Sequence, residues 1–173
     1  LKIMKPLEQL KADYASYQRI KYPSVPYLCD NNAFKRINTT NGLTACIVIF
    51  LKLQGWQAER ISNTGRPIDN TKIVTDILGG KRRIGSIDYI KGTGQKGTAD
   101  ISATIDGRSI KIEVKNQKTK DRMSKDQKEY ESSIDITGGV YFVAKSFDDF
   151  YFWYNERYNR NPRYLDFYKI VKM

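Results

Sequence analysis

The chain has 173 residues, enough for one compact domain with a real core and short of two. Thirty Lys and Arg against nineteen Asp and Glu leave a net charge of +11, which favours a polyanionic partner or else serves only as a solvated basic surface. There is no histidine, which excludes Ser-His and Cys-His nucleophiles, His-ligated zinc and nucleases with a His general base.

Of the two polyanions that suit a basic protein, the membrane is the weaker. The longest apolar run, Ala45 to Leu51, is far below the roughly twenty residues that span a bilayer. LKIMKPLEQL lacks a long apolar segment and a small-residue cleavage site, so no secretory signal is expected. Cys29 and Cys46 have neither CxxC spacing nor the number for a disulfide framework. A reduced, intracellular and cytoplasmic setting is the expectation.

In chain order, Ile3, Leu7, Leu10, Tyr14 and Tyr17 keep helical spacing behind Pro6, and YPSVPY (22–27) then breaks the helix. Residues 1–38 read as a helical extension covering the core, with the main domain over 39–173. Leu43, Cys46, Ile47, Phe50 and Leu51 mark the first core helix, which Gly55 stops, and WQAERIS (56–62) follows as a short strand. Residues 63–96, rich in Gly, Asn, Asp and basic side chains, read as an insertion with one short helix or ribbon.

Asp106-Gly107 is a two-residue type I′ turn signal between alternating strands. Ser124 with Gln127 has the form of a capping box opening a helix to about Ile136, which Gly138-Gly139 closes. GVYFVAK (139–145) is apolar enough for a central strand covered on both sides. Ser146, Asp148 and Asp149 cap a final aromatic helix, in which Phe147, Phe150, Tyr151 and Tyr154 have core spacing. Tyr158, Arg160, Arg163 and Tyr164 stay open between packing and base contact. The fold expected is α/β, a mixed sheet flanked by helices.

The hairpin register carries the chemistry. With Asp106-Gly107 as the turn, Ile105 pairs with Arg108, Ile101 with Ile112, and Asp100 with Glu113. Ile101, Ala103, Ile105, Ile110, Ile112 and Val114 then share the core face. The other face carries Asp100, Ser102, Thr104, Ser109, Lys111, Glu113 and Lys115. Opposed residues have Cβ atoms about 5 Å apart, where two carboxylates repel by roughly 3 kcal/mol at an effective dielectric of 20. Lys111 or Lys115 can compensate as a plain ion pair; a hard divalent cation compensates better.

Asp100, Glu113-Val114-Lys115 and Gln127-x-x-Tyr130 resemble the PD-(D/E)xK nuclease superfamily, most of all its VRR-NUC and Holliday-junction-resolvase-like members. The likeness covers roughly residues 43 to 154, through GTADI, IKIEVK, an SxxQ helix start and GGVYFVAKS. It implies a restriction-endonuclease-like core of order αβββαβ behind the N-terminal helical extension. It also implies a Mg²⁺- or Mn²⁺-dependent phosphodiester hydrolase, an endonuclease on DNA, with RNA and structure-selectivity left open. On that likeness Asp100, Glu113 and the Val114 carbonyl hold the metal, Lys115 positions the attacking water, and Gln127 reaches the site. The residues by themselves also allow Gln127 only its cap and Tyr130 only core packing.

The resemblance further implies a bacterial or phage origin and, as for many resolvase-like proteins, a homodimer. Relatives often place another glutamate on the first core helix, whereas residues 43–54 hold no acid; Glu59 is the nearest and reads as structural. Basic residues of the insertion, Arg66, Lys72, Lys81, Arg82, Arg83, Lys91 and Lys96, are candidate phosphate contacts, with Lys118, Lys120 and Arg122 on the other side. The alternatives are a nucleic-acid-binding module of the same fold with little cleavage, and a basic interaction protein whose acids form a salt-bridge network.

Overall fold

The computed structural model describes residues 4–26, 31–62, 65–90, 92, 94–115 and 122–158. Helix α1 (Pro6–Lys21) begins at a proline, whose fixed φ and missing N–H suit a first turn. Leu10 of α1 enters the main core, with Leu7, Tyr14 and Tyr17 packed at its edge, and Phe34 of the short α2 (Asn32–Lys35) joins them. Ile3 lies outside the described residues. Thr39 opens α3 (Thr40–Leu53) by accepting the Gly42 N–H at 3.1 Å, and Gly55, at φ 81°, ends it. No helix among the described residues is long and apolar enough to cross a membrane.

A four-stranded mixed sheet lies against α3, in the order β1 (Gln57–Arg60), β6 (Ile101–Ile105), β7 (Arg108–Val114), β8 (Val140–Ala144). The first three run antiparallel; β8 runs parallel to β7, as a crossover through α4 (Lys125–Ile136) allows. Asp106 and Gly107 both take positive φ, 52° and 78°, which is the type I′ geometry. The register follows: Ile105 opposes Arg108 and Ile101 opposes Ile112. Ile101, Ala103, Ile105, Ile110, Ile112 and Val114 are all buried on the α3 side.

The run over 139–145 needs one correction. Among the described residues its core, β8, is the edge strand of the sheet and not a central one. It is apolar because helices cover it on both sides: α4 on the polar side, where Tyr130 meets Tyr141, and α5 (Phe147–Tyr158) on the other, where Trp153 stacks on Phe142 at 4.3 Å. The aromatic helix packs as its spacing suggests. Phe147, Phe150, Tyr151 and Tyr154 surround the Phe50 ring edge-on, with centroids 5.0 to 6.0 Å away. Tyr158 also packs, against Trp153 and Tyr154.

The described residues of the insertion form a ribbon and include no helix. β2 (Arg66–Asp69) pairs with β5 (Ile87–Ile90), and β3 (Lys72–Thr75) with β4 (Lys81–Ile84). Asp69 opposes Ile87 and Lys72 opposes Ile84, three steps on along both strands, so the two ladders are one interrupted hairpin in a single register. Every residue of β3, β4 and β5 is exposed. A two-stranded ribbon without a core is marginal alone. Side chains brace this one: Arg83 bonds Thr71 (2.7 Å) and Asp69 (3.0 Å), and Asn70 donates to Asp88 (2.6 Å). Hydrogen bonds from Thr71 hold the Asp69 carboxyl below its ordinary range.

Two outcomes test this packing. Phe50→Ala empties the centre of an aromatic cluster and should lower stability by about 3–5 kcal/mol in urea unfolding. Burial pushes the Cys46 thiol up to about 12. It should therefore resist alkylation at pH 8 in the native protein and react once the chain unfolds, as read by peptide mapping.

Candidate functional site

Asp100 stands one step before β6, where the register sets it opposite Glu113. Its carbonyl accepts the Ile61 N–H on the β1 side at 2.8 Å, so Asp100 and Glu113 form the non-hydrogen-bonded kind of pair, in which side chains stand closest. The Asp100 side chain closes the ladder: its Oδ2 accepts the Val114 N–H at 2.9 Å. In extended chain a residue's N–H and C=O leave by the same edge, so the Val114 carbonyl also faces the Asp100 side.

Glu113 is 4% exposed and Lys115 9%, on the face opposite the apolar core. The Lys115 Nζ lies 3.2 Å from Glu113 Oε1. Gln127 donates from Nε2 to the same oxygen at 2.5 Å. The rest of Gln127 forms the capping box of α4: its Oε1 accepts the Ser124 N–H, and the Ser124 hydroxyl accepts the Gln127 N–H. One side chain thus starts the helix and grips the acid. Gly97 fits the loop before β6 against this helix start; its φ is 76°, and a Cβ there would lie 2.3 Å from the Asp126 carbonyl oxygen.

Two further side chains belong to this face, one expected there and one not. Lys111, an alternative counter-ion for the acids, donates instead to the Ser102 hydroxyl at 2.5 Å. Tyr141, paired with Lys111 across β7 and β8, turns its ring toward α4. Its hydroxyl is buried without a hydrogen-bond partner among the described residues. Burial pushes this phenol above its ordinary range, and the negative charges of Glu113, Glu131 and Asp100 push it further. Alternation along 139–145 is the sequence signal that places Tyr141 here, away from Val140, Phe142 and Ala144. Tyr130 is buried edge-on to Tyr141, which is packing.

The remaining candidates are spread out. Glu59 is exposed on β1 opposite Ser102, one row away from the acid pair. Lys96 lines an open cleft of about 550 Å³ with Gly65, Tyr89, Thr98, Ser124 and Gln127, so the base of the arm adjoins the site. Arg66 is exposed at that base. Lys81, Arg82 and Arg83 lie on the outer half, Lys81 roughly 30 Å out at about 3.3 Å per residue. Arg122 is exposed, whereas Lys91, Lys118, Lys120, Arg160, Arg163 and Tyr164 lie outside the described residues. A separate cavity of about 560 Å³, lined by Tyr14, Tyr17, Lys21, Lys52 and Trp56, lies on the α1–α3 side and takes no part in this site.

Among the described residues no three His, Cys, Asp or Glu side chains gather as a metal cluster. The oxygen donors brought together are two carboxylates and one main-chain carbonyl, a hard set of the kind Mg²⁺ accepts when water fills its other positions. An orphaned hydroxyl facing the same charges is an atom that ordered water or an ion's hydration shell satisfies. The donor set fits a hard divalent cation.

Tyr141→Phe removes that unpartnered hydroxyl without opening a cavity. It should raise stability by about 1 kcal/mol in urea unfolding in EDTA. A loss of similar size would mean that the hydroxyl is bonded in solution.

The chain matches no family model, no curated protein and no solved structure.

Proposed function

We propose that the chain is a metal-dependent nuclease acting on DNA, built on a restriction-endonuclease-like core. The observation that carries this reading is the buried Glu113, held by Lys115 and Gln127 at the strand end where Asp100 closes the β6–β7 ladder. Outside the arm, the element order α3-β1-β6-β7-α4-β8 is the αβββαβ order that the PD-(D/E)xK resemblance implies. A buried ion pair is a poor device for stability, because desolvating two charges consumes most of their attraction. Keeping an amine and two acids at one strand end therefore argues for chemistry.

Asp100, Glu113 and the Val114 carbonyl would hold Mg²⁺ or Mn²⁺. Such an ion, when bound, supplies Lewis-acid polarisation of the phosphate and a more acidic water. The Lys115 ammonium aims a hydrogen bond at the attacking water and offsets the negative charge that gathers on the phosphoryl oxygens. Gln127 donates to the same Glu113 oxygen that Lys115 meets, so the acid keeps one partner when Lys115 turns toward substrate. In the reaction a water oxygen bonds to phosphorus as one ester P–O bond breaks, leaving a phosphate monoester and an alcohol.

DNA is the proposed partner because of the net charge of +11 and the exposed cations of the arm. Lys96, which lines one cleft with Gln127, is a candidate phosphate contact beside the site. A second reading, a binding module of the same fold with little cleavage, is favoured by one observation: α3 contains no acid.

Incubation with supercoiled plasmid and branched DNA, with Mg²⁺ or Mn²⁺ against EDTA, tests the first reading. Cutting should require the metal, and Lys115→Ala or Glu113→Gln should lower the rate by about 10²–10⁴-fold with the fold retained by circular dichroism. Binding without cutting in the wild type would establish the module instead.

A further inference from the structure

We propose that the hairpin arm, residues 66–90, is a wedge that distorts DNA. Ile77 and Leu78 at its tip enter between stacked base pairs while the cations behind them hold the phosphates. This rests on the nucleic-acid half of the reading above and is independent of whether the chain cuts.

The tip is the first observation. Ile77 and Leu78 are 105% and 95% exposed, the two barest large apolar side chains described. They occupy the central positions of a β-turn, closed by the Gly79 N–H on the Asp76 carbonyl at 3.0 Å. Turn centres ordinarily carry Gly, Pro, Asn, Asp or Ser. This turn is also firmly built: Asp76 Oδ1 accepts the N–H of Leu78 (3.0 Å) and of Gly80 (2.7 Å), and the Asp76 N–H meets the Gly80 carbonyl at 2.8 Å. The aliphatic pair is therefore held out in one shape and is not the by-product of a loose loop.

Charge identifies the occupant. From Lys72 to Ile84 the arm carries Lys72, Lys81 and Arg82, with Arg83 tied to Asp69, against Asp76, whose Oδ1 the turn's own N–H groups occupy. Thr75 opposes Lys81 and Val74 opposes Arg82, so successive rungs put cations on both faces of the ribbon. A membrane-binding surface segregates an apolar face from a basic one; here each face mixes the two. The centre of a protein–protein contact is depleted of lysine, whereas Lys72 and Lys81 stand on the rungs behind this apolar tip. A ribbon with cations on both sides and an apolar point suits a groove with phosphates on both walls, and aliphatic wedges between base steps kink DNA in this way.

One consequence is a preference for DNA that is already unstacked, such as a mismatch or a branch point, where part of the distortion is already present. The test uses the full chain in EDTA with Ile77→Ser/Leu78→Ser, a change confined to exposed side chains. Binding is read by fluorescence anisotropy, and unstacking by 2-aminopurine walked along a duplex. The wild type should brighten 2-aminopurine severalfold and favour a mismatched over an intact duplex by roughly tenfold. The double variant should bind intact duplex within about threefold of wild type, since cations carry that affinity, yet lose both the brightening and the preference.

Equal brightening by the double variant, or duplex binding by the wild type without any brightening, overturns the wedge and leaves the nucleic-acid reading standing. No binding to any DNA at low salt overturns both. Capture by phosphatidylglycerol vesicles that the double variant abolishes, with no DNA binding, assigns the tip to a membrane and also overturns the proposal.

Discussion

Slipping β6 by one residue against β7 would turn Ile101, Ala103 and Ile105 out of the core and bury Asp100, Ser102 and Thr104 in their place. That penalty, together with a turn whose two residues both sit at positive φ, holds the hairpin in one register. The arrangement of Asp100, Glu113 and Lys115 depends on it. The acids are brought together by an apolar pattern on the far side of the same strands, so their mutual repulsion is opposed by the burial of six side chains on the opposite face.

What the register does not supply is the environment of the acid. Glu113 is buried because α4 lies over β7 and β8, and the position of α4 depends on where it begins. Gln127 ties these facts together, since its carbonyl end completes the helix cap and its amide end meets Glu113. A helix start is a local device with a local stability contribution. Here it also orients a carboxylate from a strand fourteen residues earlier. The same helix start presses on Gly97, so the loop entering β6, the cap and the acid share one small volume.

The body and the arm obey different rules. The body has a continuous apolar cluster drawn from α1, α2, α3, α5 and the sheet, with Phe50 at its aromatic centre. The arm has no core and relies on a ladder plus a few polar braces, among them Asp69, Thr71 and Arg83. Exposed ion pairs contribute little each, so the arm should open more readily than the sheet. Its exposed aliphatic tip is then a liability unless something covers it, which is the physical ground for giving it a partner.

Much of this was legible in the residues. Alternation from Ile101 to Val114 around Asp106-Gly107 determined the hairpin, its register and the pairing of the acids. Ser124 and Gln127 determined the start of α4, and Pro6 that of α1, because turns and caps depend on neighbours a few positions away. Tertiary structure alone decided that β8 lies at the sheet edge, since an apolar run reads the same whether strands or helices cover it. It also decided that Lys115 and not Lys111 meets Glu113, that the Tyr141 hydroxyl has no hydrogen-bond partner among the described residues, and that two short ladders join into one arm. Each of these depends on which distant elements come to lie together, and periodicity along a chain records which side of an element is buried without recording what buries it.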